Sequence, residues 1–351
     1  MEKEKEIIMY FFKEKIGILI PWIATGVILS ACGGTGDVKM PSDVTTDRNI
    51  EKTDISSKTQ TVIPEELEYI PESYKRPAEH AGTLEKLEYN TWESFSYDEH
   101  TKKLEKTAWV YVPYGYSEEE KYNVLYLSHG GWSNETTLMG TAGSPHEFKH
   151  IVDHAIEDGR IKPLIIVLPT YNNTSSEDSG DYNLAIKLTK NFHNELVNDL
   201  IPAAEGKYST YAEDITPEGI IKSRNHRGFA GFSMGSVNTW RTFEYCLDYF
   251  RYFMPMSGSF TTDGEYMADI VRKSGYKPED FFIYAMSGTE DFAYASFREQ
   301  IMSMGEVEDG TFKFADNEED GNLAFREREG YRHDGYAANE YTYNGLLFFW
   351  N

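Results

Sequence analysis

The chain has 351 residues, 40% hydrophobic and 15% aromatic, enough apolar material for one large core or two modest ones. Acidic residues outnumber basic ones, 58 to 34, for a formal charge of −24, a field that repels phosphate backbones and excludes ordinary nucleic-acid binding. A mean hydropathy of −0.55 excludes a multi-span membrane protein, and two cysteines in unrelated settings, Cys32 and Cys246, exclude a disulfide scaffold.

At the N-terminus, Lys13 and Lys15 precede an apolar run over residues 16–28, which closes in Leu29-Ser30-Ala31-Cys32-Gly33. A basic-flanked apolar segment followed by small residues and a cysteine resembles a bacterial lipoprotein signal. That resemblance implies removal of residues 1–31 and lipidation of Cys32; an ordinary N-terminal membrane anchor is the alternative. The expected location is the extracellular face of the cell membrane, touched only through the lipid at Cys32. Residues 32–62 are dominated by Gly, Asp, Lys, Ser and Thr, too poor in apolar side chains for a core, and read as a solvated tether. The folded domain is expected over 63–351.

Within it, Leu87 to Trp92 and Ala108 to Val112 read as antiparallel strands flanking the polar turn Tyr97-Asp98-Glu99-His100, at one edge of a sheet. Val124 to Ser128 is a short apolar strand running into His129-Gly130-Gly131-Trp132. Leu164 to Pro169 is a continuous apolar run, the mark of a parallel strand covered on both faces. Helices are expected over Glu147 to Asp158 and where Leu184, Leu188, Phe192, Leu196 and Leu200 recur every four residues. Further strands fall at Tyr252 to Met256 and Phe281 to Met286. The alternation predicts an α/β fold with a mostly parallel central sheet, antiparallel edge strands and helices on both faces.

Between these elements, the apolar run Arg227 to Phe232 enters Gly231-Phe232-Ser233-Met234-Gly235, with a helix-compatible segment from Val237 to Leu247 behind it. A serine on a sharp strand-to-helix turn stands exposed above the sheet, and flanking glycines let the neighbouring backbone pass. Together with Tyr111 to Tyr116, the Tyr122 to Gly131 segment and His333, this pattern resembles the esterase family of α/β-hydrolases that holds the feruloyl and acetyl-xylan esterase modules of carbohydrate esterase family 1. The likeness covers roughly residues 85 to 351. It implies the α/β-hydrolase fold and hydrolysis of feruloyl or acetyl substituents on plant cell-wall polysaccharide such as xylan.

The chemistry can be assembled from the residues. A serine hydroxyl is a poor nucleophile and needs a histidine base, itself held by a carboxylate. His333 is the one histidine after Ser233. Asp291 follows the strand Phe281 to Met286 and matches the position the resemblance implies, with Glu290 and Asp263 as fallbacks and a helix-capping role as its bland alternative. Oxyanion donors are expected from the Met234 amide and from Gly131 or Trp132. No cofactor is required and no metal site is expected, since His146, His150 and His154 at helical spacing lack a fourth ligand. Trp132, Tyr171, Tyr294 and Tyr336 could line a pocket, Cys246 reads as a buried helix residue, and Asp316 to Asp320 with Glu327 and Glu329 reads as a solvated loop. The expected partner is a polysaccharide or small ester substrate. Two other readings stand beside this one: a hydrolase or acyltransferase acting on another small ester or thioester, and a catalytically silent glycan-binding surface lipoprotein.

Overall fold

Alternating burial along Thr83–Trp92 puts one face of that strand on the core and the other in water, the mark of a sheet edge. The computed structural model describes residues 61–351, so the segment expected to be a leader, Cys32 and the expected tether through residue 60 lie outside the described residues. The eight strands of the main sheet are β1 (Thr83–Trp92), β2 (Lys103–Val112), β3 (Asn123–Ser128), β4 (Leu164–Leu168), β5 (Arg227–Phe232), β6 (Tyr252–Met256), β7 (Phe282–Gly288) and β8 (Leu323–Arg328). Their spatial order is β1-β2-β4-β3-β5-β6-β7-β8. β1 and β2 pair antiparallel, β2 meets β4 antiparallel, and the remaining pairs are parallel. β3, β4 and β6 are buried at every position, which is why they read as unbroken apolar runs.

The main helices are α1 (Glu147–Glu157), α2 (Tyr182–Glu195), α3 (Met234–Tyr245), α4 (Gly264–Ser274), α5 (Tyr294–Gly305) and α6 (Gly335–Phe348). α2 runs on through a π-turn, Leu196–Leu200, into the short helix Ile201–Glu205. The four-residue stripe does what its spacing demands: Leu188, Phe192, Leu196 and Leu200 are buried, and Leu184 packs at the margin. They share one core with Trp240 and Phe243 of α3. A second core gathers Phe148 and Ile151 of α1 with Tyr341 and Leu346 of α6. The sheet is thus covered on both faces. Among the described residues no helix is long and apolar enough to cross a membrane.

One expectation is corrected. Glu327, read as part of a solvated loop, lies on β8, which pairs parallel with β7 from Leu323 to Arg328. Its sequence, Leu-Ala-Phe-Arg-Glu-Arg, hides the strand because an edge strand needs only partial apolar cover. Its charges are matched locally instead, with Arg326 on Asp316 and Arg328 on the buried Glu340. All strands from β3 to β8 end on the same side of the sheet, where open parallel sheets gather their ligand sites.

Candidate active site

The chain leaves β5 and turns into α3 through Ser233, whose backbone is forced to φ 63° and ψ −121°. This strained, non-glycine conformation is held by its surroundings. The Ser233 amide donates to the Met256 carbonyl at 2.9 Å. A Cβ on Gly231 would lie 2.4 Å from the Gly235 carbonyl oxygen, and one on Gly235 would lie 2.5 Å from that of Ser128. Both glycines of the turn are therefore sterically required.

His333 sits in the loop between β8 and α6, and Asp291 in the loop after β7. The two loops are stitched together: Glu290 N–H donates to the Tyr331 carbonyl at 3.0 Å and Thr289 N–H to that of Arg328 at 3.0 Å. His333 Nε2 lies 2.7 Å from Ser233 Oγ, and Nδ1 lies 2.8 Å from both carboxylate oxygens of Asp291. An ionised carboxylate only accepts, so Nδ1 carries the proton and Nε2 is left to accept from the serine hydroxyl. The Asp291 carboxylate is fully buried. Its Oδ1 also accepts from Ala293 N–H at 2.8 Å, so it holds the imidazole and the turn leading into α5 at once; the N-cap of α5 is Ala293, so the helix-capping alternative for Asp291 does not hold. Phe232 and Phe292 flank the imidazole with centroids 4.5 and 4.2 Å away.

Of the three amides expected to meet an oxyanion, the Trp132 amide is already spent on the Ser179 carbonyl at 2.9 Å. Trp132 as a donor is thereby corrected, and its indole instead stands 76% exposed on the cavity rim. The amides of Gly131 and Met234 have no acceptor among the described residues, the latter because the first N–H groups of a helix lack an intrahelical partner. The carbonyl of Gly130, in the same planar peptide unit as the Gly131 N–H, accepts from the Tyr171 hydroxyl at 2.7 Å and from the His129 imidazole Nδ1 at 2.8 Å. In a trans peptide the C=O and N–H point in opposite directions, so clamping one aims the other. Tyr171→Phe removes one jaw of this clamp. It should lower kcat roughly five- to tenfold at unchanged KM, as for one lost hydrogen bond, measured by steady-state ester hydrolysis.

His129 itself is buried, stacked on Tyr171 at 4.3 Å, and accepts at Nε2 from Thr170 Oγ1 at 2.8 Å. Burial pushes its pKa down to about 4. The unfolded chain takes up this proton near pH 6.5 and the folded one only near pH 4, so the stability is complete above the higher value and falls as pH drops between the two. The loss reaches at most about 3 kcal/mol. Urea unfolding at pH 7 and pH 4.5 should show it, and His129→Gln should show a smaller drop.

A cavity of 310 Å³ opens over Ser233, bordered by Gly131, Trp132, Tyr182, Met234, Val237, Phe292 and His333. A serine hydroxyl hydrogen-bonded to an imidazole, a carboxylate behind that imidazole, two free amides and an aromatic-rimmed cavity form an arrangement with the geometry acyl transfer requires. The model of the protein family described as "Putative esterase" matches residues 101–299, from the start of the β2 hairpin through Ser233 and Asp291. The chain belongs to this esterase family.

Within the family, it is 36% identical over 287 residues to Endo-1,4-beta-xylanase Y of Acetivibrio thermocellus, covering 80% of this chain and 24% of that protein. It is 36% identical over 151 residues to an Endo-1,4-beta-xylanase/feruloyl esterase of Xylanibacter ruminicola, covering 41% and 18%. The esterase chain thus aligns with a quarter or less of these curated relatives. The feruloyl esterase module from Clostridium thermocellum, solved in complex with sinapinate, is 34% identical, with a TM-score of 0.72 over 84% of this chain and 97% of that one.

The other candidates fall outside the esterase site or beneath it. Glu290 is exposed and pairs with Arg332, while Asp263 caps α4 through the Tyr266 amide at 3.0 Å. Tyr171 lies under the Gly130-Gly131 loop, the Tyr294 hydroxyl bonds Glu327, and Tyr336 packs on Tyr331. His146 Nδ1 donates to the Thr137 carbonyl and His154 stacks on Tyr74. Those two and His150 do not converge, and no group of three or more metal-type ligands occurs among the described residues. Cys246 is buried, which pushes its thiol pKa well up. Sequence reasoning missed Tyr182, Phe292 and the His129–Tyr171 clamp; only Phe292 carried a signal, as the neighbour of Asp291.

Proposed function

We propose that the esterase releases hydroxycinnamic acids, feruloyl groups foremost, from xylan-type polysaccharide through a Ser233 acyl-enzyme. The observation that carries this is the unbroken hydrogen-bonded series Ser233–His333–Asp291 at 2.7 and 2.8 Å beneath an aromatic-rimmed cavity. His333 Nε2 takes the Ser233 proton as Oγ bonds the ester carbonyl carbon. The carbonyl oxygen, now an anion, is met by the amides of Met234 and Gly131. His333 returns the proton to the leaving alcohol oxygen as the C–O bond breaks. Water, deprotonated by His333, then attacks the acyl carbon, and Ser233 recovers the proton as the free acid departs.

Trp132, Tyr182 and Phe292 favour an aromatic acyl group over acetyl, because flat rings cover a phenyl face and an acetyl group would leave them unused. The relatives named for xylanase and feruloyl esterase activity support the same polymer. The leader-like segment ending at Cys32 supports export and a lipid tether, which would hold the enzyme where such polymers are met. Side-by-side assay of methyl ferulate and acetylated xylan tests the acyl assignment: ferulate release should dominate, and release of acetate alone would overturn it.

A further inference from the structure

A second cavity, of 370 Å³, opens beside the one over Ser233 and shares Tyr182, Val237 and Ser259 with it. The two adjoin across these shared residues, yet their chemistry differs. Trp132, Met234 and Phe292 make the first wall apolar, whereas the second adds Arg241, Thr261 and Thr262. We infer that the second cavity is a glycosyl subsite, holding a neutral sugar unit of the polysaccharide that carries the ester. This rests on the esterase reading above and adds where the carbohydrate lies.

The state of Arg241 selects the ligand class. Its Nη1 donates to Glu244 at 2.6 Å, and its guanidinium lies over the Phe260 ring at 4.5 Å. With its charge neutralised and its fork half used, it is poorly suited to a carboxylate or phosphate, which reward a free bidentate guanidinium. Its Nε is buried and has no partner among the described residues, while of its terminal nitrogens only Nη1 is spent, on Glu244. A guanidinium with an unspent N–H beside threonine hydroxyls matches the uncharged hydroxyl groups of a sugar. Tyr182, 58% exposed at the junction, supplies an aromatic face for the apolar side of a pyranose ring. The wall is also set before binding: the Phe260 and Thr261 amides both donate to Oε1 of the buried Gln300, at 3.0 and 3.3 Å. A preformed loop loses little freedom when the ligand arrives.

Arg241 and Thr262 border the second cavity and not the first, so they separate sugar binding from chemistry. The test compares kcat/KM on a feruloylated arabinoxylo-oligosaccharide and on methyl ferulate for the wild type, Arg241→Gln and Thr262→Trp. The wild type should prefer the oligosaccharide. Both variants should lower its kcat/KM roughly tenfold through KM, as for one or two lost hydrogen bonds, and leave methyl ferulate unchanged. Equal loss on both esters, or no loss on the oligosaccharide, would overturn the subsite. A second arm is independent of turnover: Ser233→Ala should be retarded in gels containing arabinoxylan, and Thr262→Trp added to it should abolish the retardation. Retardation with no ester hydrolysis by the wild type would sink the esterase reading and leave the subsite standing. Methyl ferulate hydrolysis with no retardation and no oligosaccharide preference would do the reverse.

Discussion

Ser233→Ala should reduce kcat for methyl ferulate by roughly 10⁴- to 10⁶-fold, leaving KM and the unfolding transition nearly unchanged. The size follows from what the side chain does: without Oγ no acyl-enzyme forms, and only the oxyanion donors and binding remain to help water attack directly. The fold should survive because Oγ makes no structural bond besides the one to His333 Nε2. The turn itself is set by backbone, by the Ser233 amide on Met256 and by the closeness of Gly231 to Gly235. Alanine can hold that backbone as well as serine can. His333→Ala should match it, since the two act as a unit and their losses do not add. Steady-state kinetics with circular dichroism as the folding control checks both.

Asp291→Asn should cost about 10⁴-fold in kcat. The carboxylate accepts from His333 Nδ1 at both oxygens and from Ala293 N–H. An asparagine places an NH₂ donor where one of those oxygens stood. The imidazole then meets a donor at Nδ1, and the tautomer with its proton on Nε2, which cannot accept from Ser233, becomes competitive. The Ala293 bond is to Oδ1 and can persist to the amide oxygen, so thermal unfolding should move little. A large fall in stability with a small fall in kcat would mean that Asp291 serves chiefly to hold the Ala293 amide in the turn before α5.

The parts of the site legible in the sequence are those where local sterics or scarcity left little choice. The glycines around Ser233 are demanded by contacts of 2.4 to 2.5 Å that any Cβ would make, and His333 had no competing histidine after the elbow. Asp291 was separable from Asp263 because apolar β7 runs straight into its loop and because it stands where the family resemblance implies an acid; that Asp263 caps α4 emerged only in the fold. The choice between Gly131 and Trp132 was not legible, because it is made by the Ser179 carbonyl, brought in from a loop far along the chain. The clamp on Gly130 was hidden for the same reason: Tyr171 follows β4, and only the sheet order places β4 beside β3. β8 escaped notice because an edge strand carrying Arg326, Glu327 and Arg328 shows none of the apolar continuity of β3 or β4. Sheet order and loop packing, which no local pattern encodes, decide these features.

The central claim is that Ser233 is the nucleophile of an esterase. Reaction with diethyl p-nitrophenyl phosphate followed by peptide mapping tests it most directly. One phosphoryl group should appear per chain, on the peptide containing Ser233, with methyl ferulate hydrolysis lost in proportion. A label on another residue, or full hydrolysis by the fully labelled protein, would contradict it.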